Sequence, residues 1–214
     1  MTNPVGVFGG TFDPPHFGHL RTALELYETL GLAEMRLIPC REPPHRVAPG
    51  ASAAQRLAML TRAVGDEPGL VIDERELRRP GPSYMVDTLA SLRDELDDTP
   101  LCLIIGDDAF VKFDTWRRWR EIPALAHLIV VRRPGAPSAL QGELAAMFAD
   151  RRVTDFAMLR GQPAGLVCEQ SVTQIDISAT RIRALVAAGR SVRYLLPDGV
   201  GHYILEQGLY QSAV

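Results

Sequence analysis

VGVFGGTFDPPHFGHL, residues 5–20, passes from a short apolar strand through a glycine pair into the start of a helix. The strand is the run Val5 to Phe8, and Gly9-Gly10 ends it. The helix is predicted from apolar residues at the i, i+3, i+4 and i+7 spacing of one helix face, and it ends near Gly31. These residues are Leu20, Ala23, Leu24 and Tyr27. The chain therefore begins with a strand–loop–helix unit.

Similar units follow along the chain. Apolar runs predict strands at Met35 to Ile38, Leu70 to Ile72, Leu101 to Ile105, His127 to Val131 and Leu166 to Cys168. Helical patterns lie between them, and one begins at Ser52 and Gln55, which form a capping box. Strands that alternate with helices indicate an α/β fold with a doubly wound, Rossmann-like parallel sheet. After Asp176 the pattern is helical only, which predicts a small helical C-terminal subdomain.

Length and charge narrow the class of protein. The 214 residues, 46% of them hydrophobic, fit a single domain at 1–214, with a core at about 1–175 and a helical part at about 176–214. The formal charge of −3 argues against a broadly cationic nucleic-acid-binding protein. No apolar stretch approaches the roughly 20 residues that span a bilayer, and three scattered cysteines fit a reducing compartment. We expect a cytoplasmic protein without a membrane or nucleic-acid partner, of unpredicted oligomeric state.

The first loop predicts an anion site. Gly9 and Gly10 let the backbone approach a ligand, and His16 and His19 lie three residues apart at a helix start, where an anion is favoured. The loop matches neither the P-loop pattern nor GxGxxG. The two histidines could also be a metal pair or ordinary surface residues, but catalytic zinc needs three protein ligands. Gly18 at a helix start costs about 1 kcal/mol relative to alanine, which indicates a close neighbour there.

Two later segments also follow predicted strands. Ser178 is a good helix N-cap, and Thr180 and Arg183 lie in the first turns after it, which predicts a second anion site. Taken alone, this segment could equally be a capped helix with solvated arginines. Gly106 and Asp108 follow the strand at Leu101 to Ile105, where ligands bind in such sheets. The alternative for Asp108 is an acidic residue that stabilises a helix N-terminus.

These motifs resemble a known family. GGTFDPPHFGHL at 9–20 and ISATRIR at 177–183 resemble the nucleotidyltransferase superfamily with the HxGH signature, and the branch most similar is bacterial nicotinate-nucleotide adenylyltransferase. Further matching segments cover nearly the whole chain: PPHR at 43–46, SYMVDT at 83–88, GDD at 106–108, TW at 115–116, RPG at 133–135 and YLLP at 194–197. Three positions depart from the usual pattern, with Arg46 for lysine, Met85 for threonine and Ala179 for serine.

The resemblance implies a reaction and the residues that perform it. The adenylyl group of ATP passes to nicotinate mononucleotide without a covalent enzyme intermediate, and deamido-NAD and pyrophosphate form. The implied catalytic residues are His16, His19 and Arg183. The implied ATP-binding residues are Gly9, Gly10, Thr11, Phe12, His16, His19, Gly106, Asp108, Ser178, Thr180 and Arg183. The implied acceptor-binding residues are Pro44, His45, Arg46, Ser83, Tyr84, Met85, Trp116, Arg117 and Arg133.

Smaller questions attach to these roles. Mg²⁺ is expected to accompany ATP with few protein ligands, because it retains several waters. Trp116 is the implied platform for the pyridine ring, although an aromatic residue after a polar loop is often simply packed. Asp87 could serve the site or only stabilise a helix N-terminus.

Two other functions stay open on sequence grounds. One is a related small-molecule enzyme, such as phosphopantetheine adenylyltransferase or a cytidylyltransferase. The other is a catalytically silent nucleotide-binding regulator, since fold alone does not fix function. Each of these candidate functions that involves ATP requires the histidine pair and the segment at 178–183 to meet around one polyphosphate.

Overall fold

The computed structural model describes residues 2–43, 49–132 and 141–211. Within them, one sheet of seven parallel strands forms the centre of the protein. The strands are, in chain order, β1 Val5–Gly10, β2 Glu34–Pro39, β3 Leu70–Ile72, β4 Leu101–Gly106, β5 His127–Arg132, β6 Arg152–Val153 and β7 Val167–Ser171. The predicted α/β fold with a parallel, doubly wound sheet is confirmed.

The strand order creates a switch point beside β1. In space the strands run β3-β2-β1-β4-β5-β7-β6. The chain moves outward from β1 to β3, returns to β4 on the other side of β1, and continues in the opposite direction. The loops that leave Gly10 and Gly106 therefore diverge, and a crevice forms at the carboxyl ends of β1 and β4. This is where open α/β sheets bind ligands.

Helices connect the strands and cover the sheet. They are α1 Phe17–Leu30, α2 Ala53–Val64, α3 Arg75–Arg78, α4 Met85–Leu96, α5 Asp107–Phe110, α6 Ile122–Leu125, α7 Gly142–Phe148, α8 Ala179–Ala187 and α9 Asp198–Glu206. Short 3-10 turns occupy Phe113–Thr115, Trp119–Glu121 and Phe156–Arg160. In the described part of the chain, no helix is both long enough and apolar enough to cross a bilayer.

Both faces of the sheet are buried, which explains the continuous apolar run of β4. Leu101, Leu103 and Ile105 point to one face, where they pack with α4. Cys102 and Ile104 point to the other face, where they pack with α1. A parallel strand covered on both sides has no solvent-facing positions, so its sequence does not alternate.

Helix α1 buries a different stripe from the predicted one. Its fully buried residues are Ala23, Leu26 and Leu30, while Leu20, Leu24 and Tyr27 are only half-buried. The prediction of the helix was correct, but its buried centre is rotated toward Leu26. Gly31 ends the helix with a φ of 58°, a left-handed conformation that glycine adopts without strain.

The C-terminal helices pack mainly on α2. A third apolar cluster joins Met59 of α2 to residues of α8, of α9 and of the segments just before and after α9. Those residues are Ile182, Leu196, Val200, Ile204 and Leu209. The helical character predicted after Asp176 is confirmed, and α2 is the element that holds these helices beside the sheet.

Candidate active site

The two predicted histidines lie together in what we call the histidine turn, residues 16–19 at the start of α1. The His16 and His19 rings stack with their centroids 3.7 Å apart and their planes 28° apart. The His16 backbone N–H donates to His19 Nδ1 at 3.3 Å. This bond assigns the proton of a neutral His19 to Nε2. The histidine turn therefore places two imidazoles at a helix N-terminus, as the spacing predicted.

Burial keeps His16 neutral. The residue is 6% exposed, and burial lowers its pKa from 6.5 to about 4. Its Nδ1 atom is fully buried and makes no regular hydrogen bond to the described residues. At neutral pH His16 is thus an uncharged imidazole.

Gly18 makes room for that ring. A Cβ atom at Gly18 would lie 3.0 Å from His16 Nδ1 and 3.6 Å from the carbonyl oxygen of Ile175. The close neighbour predicted for Gly18 is therefore the His16 imidazole, together with the chain segment that leads to Ser178.

The loop after β1 is tightly packed by its own side chains. A Cβ at Gly9 would lie 2.6 Å from Met85 Cε, and one at Gly10 would lie 2.9 Å from the Phe12 ring. Phe12 is buried and has a φ of +49°, which for a non-glycine residue costs about 1–3 kcal/mol. Its ring meets the His19 imidazole edge-on at 5.2 Å. The conformation of this loop is held by packing around the histidine turn.

The second predicted anion site, the serine turn at residues 178–183, meets this loop directly. Arg183 Nη1 donates to the carbonyl oxygen of Asp13 at 2.6 Å and lies 3.7 Å from Asp13 Oδ2. Arg183 Nη2 donates to Thr180 Oγ1 at 3.3 Å. The Arg183 side chain is 33% exposed, so its charge also reaches solvent. The turns that are far apart in sequence are joined through one guanidinium.

The serine turn begins as predicted. Ser178 Oγ accepts a hydrogen bond from the Arg181 N–H at 3.2 Å and caps α8. The first turn of α8 therefore offers backbone N–H groups and the Thr180 hydroxyl on the same side as Arg183.

The carboxyl end of β4 carries two acidic residues. Asp107 is buried, and its Oδ1 accepts from the Asp108 N–H at 2.8 Å. Asp108 is exposed, and a Cβ at Gly106 would lie 2.6 Å from its Oδ1. The absence of a side chain at Gly106 thus lets the Asp108 carboxylate fold back over the end of the strand. Both acidic residues lie in the first turn of the short helix α5. They can therefore also stabilise its N-terminus, which is the alternative role given above for Asp108.

At the predicted acceptor end, Ser83 connects two loops. Its Oγ accepts from the Arg41 N–H at 2.9 Å, and its own N–H donates to the Glu42 carbonyl at 2.9 Å. These bonds tie the segment before α4 to the segment after β2. Met85, which begins α4, reaches back to Gly9 and so links this end to the loop after β1.

Trp116 and Arg117 lie close to the same segment. The Trp116 indole is half-buried and packs against the Phe113 ring at 5.3 Å. The Arg117 guanidinium lies 4.7 Å from the centroid of the Tyr84 ring, in a cation–π contact. Trp119, in contrast, is a buried core residue.

Asp87 lies in the first turn of α4 and pairs with Arg118 at 3.2 Å. Four predicted acceptor-binding residues, Pro44, His45, Arg46 and Arg133, lie outside the described residues.

Sequence reasoning missed three residues that build this site. Asp13 accepts bonds from three separate parts of the chain, Tyr210 is one of its donors, and Arg56 supports the loop from behind. Nothing in a single sequence marks Arg56, because an arginine next to apolar helix residues is typical of an exposed helix face. Asp13 was visible only as part of the longer motif. Among the described residues, no group of three His, Cys, Asp or Glu side chains could hold a metal ion.

Known proteins define the class and then the family. Residues 7–185 match the model of the cytidylyltransferase-like family, so this is a nucleotidyltransferase. Two relatives, each 52% identical to this chain, are named probable nicotinate-nucleotide adenylyltransferase. The match with the protein from Marinobacter nauticus covers 95% of this chain and 95% of the relative. The match with the protein from Halorhodospira halophila covers 96% of this chain and 94% of the relative. The chain belongs to the nicotinate-nucleotide adenylyltransferase family.

A solved structure supports the fold independently. Nicotinic acid mononucleotide adenylyltransferase from Plasmodium falciparum, in complex with NaAD, superimposes with a TM-score of 0.72 over 97% of each chain. At 13% sequence identity this likeness concerns the fold only.

Proposed function

We propose that this chain transfers the adenylyl group of ATP to nicotinate mononucleotide, with deamido-NAD and pyrophosphate as products. The observation that carries the proposal is the contact between Arg183 and Asp13, which brings the serine turn against the loop that carries the histidine turn. Two anion-binding helix starts on one crevice suit a polyphosphate whose two ends must be held. The curated relatives, about half identical over nearly the full length, support the same reaction.

The loop after β1 and the histidine turn hold the α- and β-phosphates. Gly9, Gly10, Thr11 and Phe12 provide backbone contacts, and His16 and His19 donate from their imidazoles. Neutral His16 serves as a donor through Nε2–H, because a buried Nδ1 without a partner is better tolerated as an acceptor than as an orphaned N–H. Fixed donors aimed at charge that develops during phosphoryl transfer stabilise the transition state without a covalent intermediate.

The serine turn holds the leaving pyrophosphate. Ser178 and Thr180 present a capped helix start, and Arg183 adds a permanent charge with a planar set of donors that suits phosphate oxygens. The Asp13 carbonyl orients this guanidinium, and its exposed part is turned to solvent, from which ATP arrives. Gly106 and Asp108 lie at the other side of the switch point, where the carboxylate accepts from ribose hydroxyls.

The acceptor binds at the segments that Ser83 joins. Trp116, packed on Phe113, offers a ring face for the pyridine, and the backbone near Met85 meets the nicotinate carboxylate. Tyr84 and Arg117 border this end. Pro44, His45, Arg46 and Arg133 complete the proposed phosphate contacts of the mononucleotide.

Mg²⁺ fits this set of donors only as a companion of ATP. The described residues contain no cluster that could hold a metal ion, although Asp108 provides an exposed carboxylate near the crevice. When bound, Mg²⁺ would neutralise charge on the phosphates while it retains waters. We also propose a single domain with a core at 1–175, and a cytoplasmic location, since all three cysteines are buried and free in the described residues.

Pyrophosphate release tests the reaction. The purified chain is incubated with Mg²⁺ and ATP plus nicotinate mononucleotide, ATP plus 4′-phosphopantetheine, or ATP alone, and the products are separated by chromatography. We expect pyrophosphate and deamido-NAD in equal amounts from the first mixture only. A further mixture with CTP in place of ATP tests a cytidylyltransferase, the activity after which the matched family is named. Release with phosphopantetheine or CTP, or binding of ATP without any release, would contradict the proposal.

A matched pair of variants tests the role of Arg183. Arg183→Gln removes the charge that joins the two turns, and we expect kcat/KM for ATP to fall by about 100-fold. Arg181→Gln, on the exposed side of the same turn, should leave it within about twofold. Equal effects of the two variants would exclude the specific role of Arg183.

A further inference from the structure

Arg56 is the largest of the fully buried side chains in the described part of the protein. It lies on α2 and is 1% exposed. Its Nη1 donates to the Thr11 carbonyl at 2.8 Å, and its Nη2 donates to the Arg41 carbonyl at 3.0 Å. The Cys40 sulfur lies 4.0 Å from Nη1. All of these partners are uncharged, so a cation is buried against neutral acceptors.

Among the described residues, no carboxylate pairs directly with Arg56; the buried Asp13 and Glu76 lie farther away, where each acts with Arg56 on a shared neighbour, Tyr210 or Cys40. The ion pairs among the described residues include other partly buried arginines, such as Arg36 and Arg75, but none involves Arg56. The residues outside the described ranges contain no aspartate or glutamate. Arg56 Nε is also fully buried and makes no hydrogen bond to the described residues. A buried charge without a directly paired counter-charge is unfavourable, and it needs a reason.

The position of Arg56 supplies a reason for burying this charge. Thr11 belongs to the loop after β1, and Arg41 follows β2, so the guanidinium supports both loops from behind the crevice. In a planar trans peptide the C=O and the N–H point in opposite directions. Because Arg56 holds the Thr11 carbonyl, the Phe12 N–H is directed away from α2. Phe12 has a positive φ, so this peptide orientation needs such support.

Arg93 shows what a purely structural arginine looks like in this fold. It also donates to carbonyl groups, those of Thr99 at 2.7 Å and Leu125 at 2.5 Å. These groups lie just before β4 and β5, at the opposite edge of the sheet from the crevice, and Arg93 is half-buried rather than fully buried. Its charge reaches solvent, whereas the charge of Arg56 does not.

We propose that Arg56 is a positioning residue for ATP: it orients the Phe12 N–H toward the polyphosphate, and its buried charge, which no carboxylate pairs directly, favours the bound phosphates. This inference rests on the proposed function, because it requires a polyphosphate at the loop after β1. Arg56 itself does not touch the substrate and acts through the Thr11–Phe12 peptide. The ligand chemistry that it recognises is negative charge, not the nucleoside.

The test compares ligands of different charge. Dissociation constants for inorganic pyrophosphate, ATP and adenosine are measured by calorimetry for the wild type, Arg56→Gln, Arg56→Lys and Arg93→Gln. Gln retains an N–H donor without charge, and Lys retains the charge. We expect Arg56→Gln to raise the dissociation constants of pyrophosphate and ATP by about tenfold or more and that of adenosine by less than about twofold. Arg56→Lys should remain within about threefold of the wild type for all three ligands.

The control variant separates this role from loss of stability. Arg93→Gln should lower the melting temperature and leave all three dissociation constants unchanged. The proposal is overturned if Arg56→Gln weakens adenosine as much as pyrophosphate, or weakens neither. If Arg56→Gln does not fold, Arg56→Lys decides: wild-type affinity for pyrophosphate supports the proposal, and a loss of about tenfold overturns it. Failure of the proposed function would be seen separately, as a wild-type protein that binds ATP but releases no pyrophosphate with the acceptor.

Discussion

The Tyr210 hydroxyl donates a hydrogen bond of 2.7 Å to Asp13 Oδ1, across 197 residues of sequence. The same carboxylate accepts from the Gly50 N–H at 2.8 Å and the Ala51 N–H at 3.1 Å. Asp13 is 5% exposed, and these donors offset the cost of burying its charge. Burial and the neighbouring Asp13 raise the pKa of Tyr210, so its hydroxyl remains a donor at neutral pH. The end of the described chain thus fastens the loop that leads to the histidine turn.

Removing this hydroxyl should destabilise the fold. Tyr210→Phe leaves Asp13 Oδ1 short of one donor, and we expect the free energy of unfolding to fall by about 1–3 kcal/mol. Urea denaturation provides the measurement. Tyr203→Phe is the matched control, because the contact of that ring is the Arg62 guanidinium over its face. The control should change stability by less than about 0.5 kcal/mol. Equal losses of unfolding free energy in both variants would show that the hydrogen bond from Tyr210 to Asp13 does not stabilise the fold specifically.

Gly18→Ala should impair activity more than stability. The added Cβ would lie 3.0 Å from His16 Nδ1, so the imidazole has to move. Alanine also favours the helix by about 1 kcal/mol, which offsets part of the strain. We expect kcat/KM for ATP to fall by about 10- to 100-fold, because misplacement of a positioning group is costly. Gly199→Ala in α9 meets only an ordinary contact at 3.7 Å and serves as the control. Unchanged activity in Gly18→Ala would mean that the His16 position is not critical.

The buried imidazole of His16 predicts a dependence of stability on pH. Its pKa is about 4 in the folded protein and 6.5 in the ordinary, unfolded environment. Between these values the unfolded chain binds more protons, so the contribution of neutral His16 is complete above pH 6.5 and is lost as the pH falls toward 4. The shift corresponds to a loss of about 3 kcal/mol.

The free energies of unfolding of the wild type and His16→Asn, measured by urea denaturation at several pH values between 7 and 4, give this contribution. Burial also lowers the pKa of His127, so the wild type retains a second titrating group. The difference between the two proteins isolates His16. The variant should show a shallower loss of stability toward acid, and parallel curves would refute the assignment of a neutral, buried imidazole.

The elements that sequence predicts well are those with a local cause. The run Leu101 to Ile105 indicates a doubly covered strand because each of its residues is buried on one face or the other. The capping box of Ser52 and Gln55 is present, with bonds of 2.9 and 3.3 Å between side chains and backbone. The two-residue strand β6, Arg152–Val153, has no apolar run of its own and depends on its pairing with β7. It could not be found without the neighbouring strand.

The parts of the site that escaped prediction depend on long-range contacts. The partners of Asp13 come from residues 50, 51, 183 and 210, and no local pattern links them. The face of α1 was misjudged for a related reason: the sheet beneath it decides that Leu26 is buried while Leu24 is half-buried. The motif-bearing residues were found because their chemistry is local to a turn, whereas their supports are distributed over the chain.

Selectivity for the acid over the amide should depend on Arg117. The Arg117 guanidinium stacks on the Tyr84 ring. The neighbouring Arg118 forms ion pairs with Asp87 and Glu121. The positive charge of Arg117 is therefore more available than that of Arg118 to a carboxylate at the acceptor end. We expect Arg117→Gln to lower kcat/KM for nicotinate mononucleotide by about tenfold and to leave that for the amide mononucleotide within about twofold. Arg118→Gln is the control and should change the ratio of the two values little. A wild-type protein with equal kcat/KM for both substrates would remove the acid preference altogether. An unchanged ratio in Arg117→Gln would instead leave the preference to backbone donors near Met85.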